Sequence, residues 1–578
     1  MRNYLLFILA FVLVSCGDAS KREFKLTPAK GGVYYGGTFR YNEEEYFKTL
    51  YPLNITEVTA HRIIEQIYEG LVTFDDSTLA VIPNLAKYWT IDESKTKYTF
   101  ILNNNVYFQD DACFPDGKGR KMTAQDVKYC FDRLCYHHPA DNQGFWIFKD
   151  VVKGANEYDS LTEQKIIPKD GVSGVRVIND TTLEIELYKP FSVFLPRLGL
   201  AFAKVYPHEA IEKYGELIEH AVGTGPFYLK VVRANQAVFL ERNKKYWKKD
   251  EYGNQLPYLN AIRVSFIKDK KNELLEFQKG QSDLVYKFPL EMIGEIVNPD
   301  NKLQAAFAKF QLQYMPTMSL QYYGFQHQGK IFNNINLRKA FCYAVDRERL
   351  CKYTLKGTGF PAIYGSIPPG TGTYDAKQVK GYHFNPVLAK EYLAKAGYPN
   401  GRGLQKIILE LNSGGGRNIS VAEAIKKMLE ENLNIKMELL MIPWAQHTEA
   451  VESAKADFYR LGWVADYPDG ENFLNLFHSK YVPADINTKT SINSFRYINK
   501  KYDEYLDKAL NCVDPKEINE YYIKADQQMI DDAVMLPIYY DIDYRLLQPY
   551  VRNCPQNAME FRDFSEMYFI PFQTSTQK

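Results

Sequence analysis

The chain predicts an α/β fold built from more than one domain. Two observations carry this. Strand-period and helix-period apolar patterns alternate along its length, which at this level leaves α/β and α+β open. In addition, 578 residues are enough for about two to four domains. No internal repeat and no low-complexity linker divides the chain.

The elements follow in order. Met1, Arg2 and Asn3 form a short positive start, and residues 4–14 are an unbroken apolar run. That run suits a signal-peptide core and is too short for a membrane span of about 20 residues. Residues 18–30 are polar and read as a tether. Residues 32–40 read as a strand. Residues 57–68 read as a helix from Val58, Ile63, Ile64 and Ile67, with Thr56 as N-cap. Residues 97–102 alternate like a strand. Thr123 opens a helix with Asp126 where the dipole favours an acid. Residues 174–188 hold two strands about Asn179 and Asp180. Residues 337–355 read as a helix interrupted near Asp346, and 386–397 as a helix stopped by Gly397. Strand 404–411, helix 420–433 and strand 436–442 form a βαβ unit, which implies parallel pairing.

Formal net charge is +1, so no broad field favours nucleic acid or an anionic membrane. Aromatic content is 15%, with 44 Tyr and 35 Phe. Tyr in surplus suits a large, partly wet binding cavity, where the ring packs and the hydroxyl bonds. None of the eight Cys forms a Cys-x-x-Cys pair, and Cys135 near His137 and His138 lacks a second ligand cluster. No cofactor or metal is expected. Neither a zinc-protease helix, a nucleophile elbow nor a phosphate loop occurs, so the chain does not read as an enzyme. Gly414-Gly-Gly416 lacks the flanking Lys and Ser/Thr of a phosphate loop and reads as a turn in a cleft wall.

The stretch that carries chemistry is Asp457-Phe-Tyr-Arg460-Leu-Gly-Trp463-Val-Ala-Asp466-Tyr467. It reads as a strand entering a turn. Asp466 and Arg460 in an aromatic frame could hold a zwitterion, the acid on an ammonium and the guanidinium on a carboxylate. The same spacing also fits a strand end with ordinary surface charges.

Several blocks, in order, resemble the oligopeptide/dipeptide class of bacterial extracellular solute-binding proteins that serve ABC importers. They are Gln66-Ile-Tyr-Glu-Gly-Leu-Val72, Pro83-Asn-Leu-Ala86 with Trp89, Lys121-Met-Thr-Ala-Gln-Asp-Val127, Gly223-Thr-Gly-Pro-Phe-Tyr228, Glu241-Arg-Asn-Lys-Lys-Tyr-Trp247, Leu337-Arg-Lys-Ala-Phe341 and Gly462-Trp-Val-Ala-Asp-Tyr467. Residues 110–117, with Cys113, depart from the family by a short insertion.

The resemblance implies a two-lobed periplasmic-binding-protein-like fold with an extra subdomain, closing on ligand about a hinge. Lobe I would comprise 31–72, 206–305 and 540–578, the extra subdomain 73–205, and lobe II 306–539. Residues 1–15 would be a lipoprotein signal peptide, and Cys16 the lipidated start of a tether over 16–30; an ordinary secretory peptide is the other reading. Asp466 matches the acid that receives a peptide ammonium and Trp444 a cleft Trp. Arg460 matches an Arg near a peptide carboxylate, and Tyr286 a cleft Tyr. Their structural readings are core packing for Trp444 and Tyr286, and an ion pair with Asp457 or another acid for Arg460. Trp463 reads as packing. The implied function is a monomeric, lipid-anchored receptor at the cell envelope. It would capture short peptides and pass them to an ABC transporter permease. The alternatives are the same fold binding an oligosaccharide, nickel or haem, or sensing peptides for signalling.

Overall fold

The structure is a computed structural model that describes residues 25–55, 57–138, 144–298, 301–413, 416–559 and 561–572. The apolar run, Cys16 and residues 18–24 of the tether lie outside the described residues.

Three sheets organise the fold. The first runs Phe227–Arg233, Ala237–Arg242, Ala261–Phe266, Thr38–Glu43. Its first three strands are antiparallel, and the last joins in parallel with Thr38 opposite Ala261. The strand read over 32–40 is in fact broken into Tyr34–Tyr35 and Thr38–Glu43. Gly36 and Gly37 part them at φ 122° and 82°, where a ladder cannot continue and only glycine sits without strain. The helix read over 57–68 ends at Ile64. Beyond it, the Gln66 and Ile67 carbonyls accept from Phe227 N–H (3.0 Å) and Gly225 N–H (2.9 Å), which commits them to a neighbouring strand. Glu57 takes the N-cap position, and Thr56 is outside the described residues.

The second sheet is antiparallel: Ala86–Ile91, Lys97–Leu102, Thr182–Glu186, Val175–Asn179. The helix Ala124–Cys135 packs on it, opened by a capping box in which Thr123 N–H donates to Asp126 at 2.8 Å.

The third sheet has seven strands. Its order is Leu284–Tyr286, Met535–Leu547, Gln311–Phe325, Phe458–Val464, Ile407–Asn412, Met437–Ile442, with Gly359–Pro361 also on Met535–Leu547. Ile407–Asn412, helix Gly416–Leu433 and Met437–Ile442 form the expected βαβ unit, parallel with Ile407 opposite Met437. Gly414 and Gly415 are outside the described residues, and Gly416 begins the helix. The interrupted helix is Ile335–Ala344, followed by Arg347–Arg349, whose first turn Asp346 caps at 2.9 Å.

Gln311–Phe325 and Met535–Leu547 run antiparallel from one lobe into the other. Gln311 faces Leu547 beside Leu284–Tyr286 at one end, and Gly324 faces Met535 at the other. Their register shifts between Pro316 and Leu320, a local interruption of the kind that lets a strand bend. The chain's last segment returns to the first sheet. Phe564 packs edge-on against Phe39 and Tyr41 at 5.2 and 5.9 Å, and Arg562 reaches Glu43 at 3.5 Å. Cys113, Cys130, Cys135, Cys342, Cys351, Cys512 and Cys554 are all free thiols.

Phe458 opens the strand that leads to Arg460 and Asp466. Its ring lies 5.2, 5.5 and 5.6 Å from Phe325, Phe332 and Phe341, all fully buried. Phe458→Ala should lower stability by about 3–5 kcal/mol through the lost transfer energy and the cavity left behind. Thermal melting, with the loss assigned to lobe II by hydrogen exchange, checks this.

Candidate functional site

A cavity of about 1180 Å³ lies between the lobes. That is ample for a short peptide or a ligand of similar size. Both long crossing strands line it. Thr317, Ser319 and Gln321 come from one, Asp541 and Asp543 from the other. Each set alternates at period two, so the polar residues share the cavity face while Met318, Leu320, Tyr540 and Tyr544 between and beside them are buried.

These floor residues form one network. Asp541 accepts from Ser319 Oγ (2.6 Å) and Gln321 Nε2 (2.9 Å), and pairs with Arg417 at 2.9 Å. Burial opposes its ionisation, but Arg417, Lys287 and the two hydrogen bonds outweigh that and hold its carboxyl below the usual range. Asp543 accepts from Tyr286 Oη at 2.5 Å. Tyr286 lines the cavity with its ring between the guanidiniums of Arg62 (4.9 Å) and Arg562 (5.0 Å). It thus joins the floor to the first lobe.

The structure places the other sequence-derived residues unequally. Asp466 lines the cavity at the end of strand Phe458–Val464. It is open to cavity solvent and not buried as a core carboxylate would be, yet the cleft walls surround it. Desolvation by those walls raises its pKa, against the stabilising Asn472 amide. Asn472 also receives the Asp466 N–H (3.0 Å) and the Trp463 Nε1–H (2.8 Å), which fixes the turn. Among the described residues, no cation pairs with the Asp466 carboxylate.

Trp463, read as packing, also lines the cavity. Arg460 does not line it. Its guanidinium hydrogen-bonds to Gln321 Oε1 and, at 3.4 Å, to Asn412, so it stands behind the floor and not against Asp457. Trp444 starts the helix Trp444–Glu452, is 53% exposed and is not part of the cavity wall. From that helix His447 is fully buried, bonded to Glu410 (2.9 Å) and to the Arg460 carbonyl (2.8 Å). Among the described residues, no group of three or more His, Cys, Asp or Glu is placed to hold a metal ion.

The cavity walls touch beside Asp466. Arg197, from helix Phe194–Leu198, reaches Glu471 of the facing lobe at 3.4 Å, with both side chains nearly enclosed. The Arg197 guanidinium also lies over Trp146 (4.8 Å) and Phe191 (4.7 Å), and Trp146 stacks on Tyr467 at 6.3 Å. The Ser192 N–H donates to the Leu510 carbonyl at 3.0 Å nearby. Sequence reading missed this contact because its partners lie 274 residues apart. The floor acids had left a signal, their alternation within apolar strands.

Residues 80–484 match the family model described as bacterial extracellular solute-binding proteins, family 5, middle, and the chain belongs to that family. It is 26% identical over 566 residues to heme-binding protein A of Haemophilus influenzae, covering 96% of both chains. It is 25% identical over 515 residues to the periplasmic oligopeptide-binding protein OppA of Escherichia coli, covering 87% of both. Among solved structures, the periplasmic binding protein DppA from Helicobacter pylori in complex with the peptide STSA superposes with a TM-score of 0.75. That pair is 23% identical and covers 93% of this chain and 98% of that one. An oligopeptide-binding protein from Borrelia burgdorferi gives a TM-score of 0.72 at 25% identity, with coverage of 93% and 100%. The fold is therefore the two-lobed one of periplasmic binding proteins.

Glu471→Gln keeps the shape of the closing contact and removes its charge. Leaving Arg197 enclosed without its partner should cost about 3 kcal/mol. The ligand-free variant should melt earlier, and its radius of gyration in small-angle scattering should exceed that of the wild type.

Proposed function

We propose that the chain captures short peptides between its lobes and hands them to an ABC importer, tethered to a membrane through lipid on Cys16. The observation that carries the reading is Asp466. It is a carboxylate on the wall of an enclosed cavity, held by one amide, and among the described residues it has no cationic partner. An incoming ammonium supplies the missing charge where protein has already displaced much of the water, which makes the attraction stronger than in bulk solvent. Tyr286 and Trp463 offer rings to the ligand's side chains, and Arg460 acts through Gln321 on the floor. Relatives named for oligopeptides, dipeptides and glutathione support the same ligand class. The crossing strands provide the hinge for closure.

Native mass spectrometry of residues 17–578 purified without denaturation should show mass increments that match a spread of short peptides. Asp466→Asn should weaken a free-amine peptide by roughly 3 kcal/mol, or on the order of 100-fold, and barely affect its N-acetylated form. A single increment of a haem, a nickel complex or an oligosaccharide would instead identify a non-peptide ligand. Cys16→Ser should move the protein from the detergent phase to the aqueous phase on phase separation, because the acyl chains supply the membrane affinity.

A further inference from the structure

One wall of the cavity holds a lysine that, among the described residues, no side chain pairs with. Lys204 lies in the short strand Lys204–Val205, opposite Gly70. It lines the cavity and is 4% exposed. Among the described residues its ammonium has no hydrogen bond and no ion pair. The nearest acids act on it only at a distance. Burial lowers the Lys204 pKa, and Glu65 and Glu69 oppose that through space. Glu69 is already taken by Thr224 (2.8 Å), Tyr246 (2.9 Å) and Trp247 (2.8 Å). Glu65 accepts the Arg562 N–H at 3.4 Å, and burial pushes its carboxyl up to about 7, so near neutrality it is partly a donor. His61, also on the wall, is pushed down to about 4 by burial and is neutral there. The wall therefore offers an ammonium, a carboxyl that carries a proton part of the time and a neutral imidazole.

A row of rings connects this wall to Asp466. His61 meets Phe202 at 6.5 Å, Phe202 meets Trp146 at 6.4 Å, and Trp146 stacks on Tyr467 at 6.3 Å, next in sequence to Asp466. A ligand with its ammonium on Asp466 can lie along these rings with its far end on Lys204.

We propose that Lys204, with His61 and Glu65, forms a subsite that takes a carboxylate of the bound peptide, from an acidic side chain or the C-terminus. This rests on the peptide reading above and adds a preference for acidic peptides. A carboxylate gives the enclosed ammonium its missing partner, and the folded wall has already borne the desolvation of Lys204. A neutral group would leave that charge unpaired, and a cationic one would be repelled.

Titration calorimetry on the wild type and on Lys204→Met, with Ala-Glu-Ala, Ala-Gln-Ala and Ala-Glu-Ala amide, tests this. The wild type should favour the parent peptide over at least one analogue by about 10-fold or more. Loss in the Gln peptide marks a side-chain carboxylate, and loss in the amide marks the C-terminus. Lys204→Met, or Lys204→Gln should the first variant fold poorly, should abolish that ratio. Equal binding of all three peptides by the wild type, or an unchanged ratio in the folded variants, overturns the subsite and leaves the peptide reading standing. Binding of none of them overturns both.

Discussion

The antiparallel pairing of Gln311–Phe325 with Met535–Leu547 is the constraint on which the rest depends. One end is locked to the first lobe through Leu284–Tyr286, and the other lies inside the second lobe's sheet. The backbone bonds of the pair hold the lobes in register. The alternation of side chains puts Ser319, Gln321, Asp541 and Asp543 on the cavity face at the point of bending. The floor of the site and the interrupted stretch of the crossing strands are thus the same few residues. A change in strand register there would move the polar set off the cavity face.

Charge in the cavity divides into committed and uncommitted groups. Asp541 with Arg417 and Glu471 with Arg197 are satisfied within the protein and set its shape. Among the described residues, Asp466 and Lys204 have no countercharge within bonding reach, and both line the cavity. An enclosed charge such as Lys204 works against folding unless a ligand completes it. Arg197, Glu471, Trp146 and Tyr467 bring the walls together beside Asp466 and narrow the access of water there.

Local pattern made much of this legible. The βαβ unit, the capping box at Thr123 and Asp126 and the alternating strand 97–102 follow from propensity and period, and they stand where the pattern put them. Asp466 was legible because its aromatic frame and its turn are contiguous in sequence. Arg460 was not fully legible, because whether its guanidinium faces the cavity or the Gln321 amide depends on a neighbouring strand 139 residues away. Trp444 shows the same limit, since a position at the start of a helix does not say which side of the sheet the helix covers. The early helix was overread because Gln66 and Ile67 are apolar-compatible locally, while distant backbone claims their carbonyls. Lys204 gave no local signal at all. A lysine in a short strand looks ordinary until the fold encloses it.

The return of the C-terminal segment has a consequence for the order of assembly. Arg562 meets Glu43 across 519 residues, and the Gln66 side chain bonds to the Arg562 carbonyl across 496. Phe564 completes the packing around Phe39 and Tyr41. The sheet that holds Phe39 and Tyr41 is not fully packed until these late residues arrive, and contacts of such long separation form slowly. A chain emerging N-terminus first therefore finishes the lobe it began with last. Until then the face of its early strand that carries Phe39 and Tyr41 stays uncovered, in need of shelter from other unfinished chains.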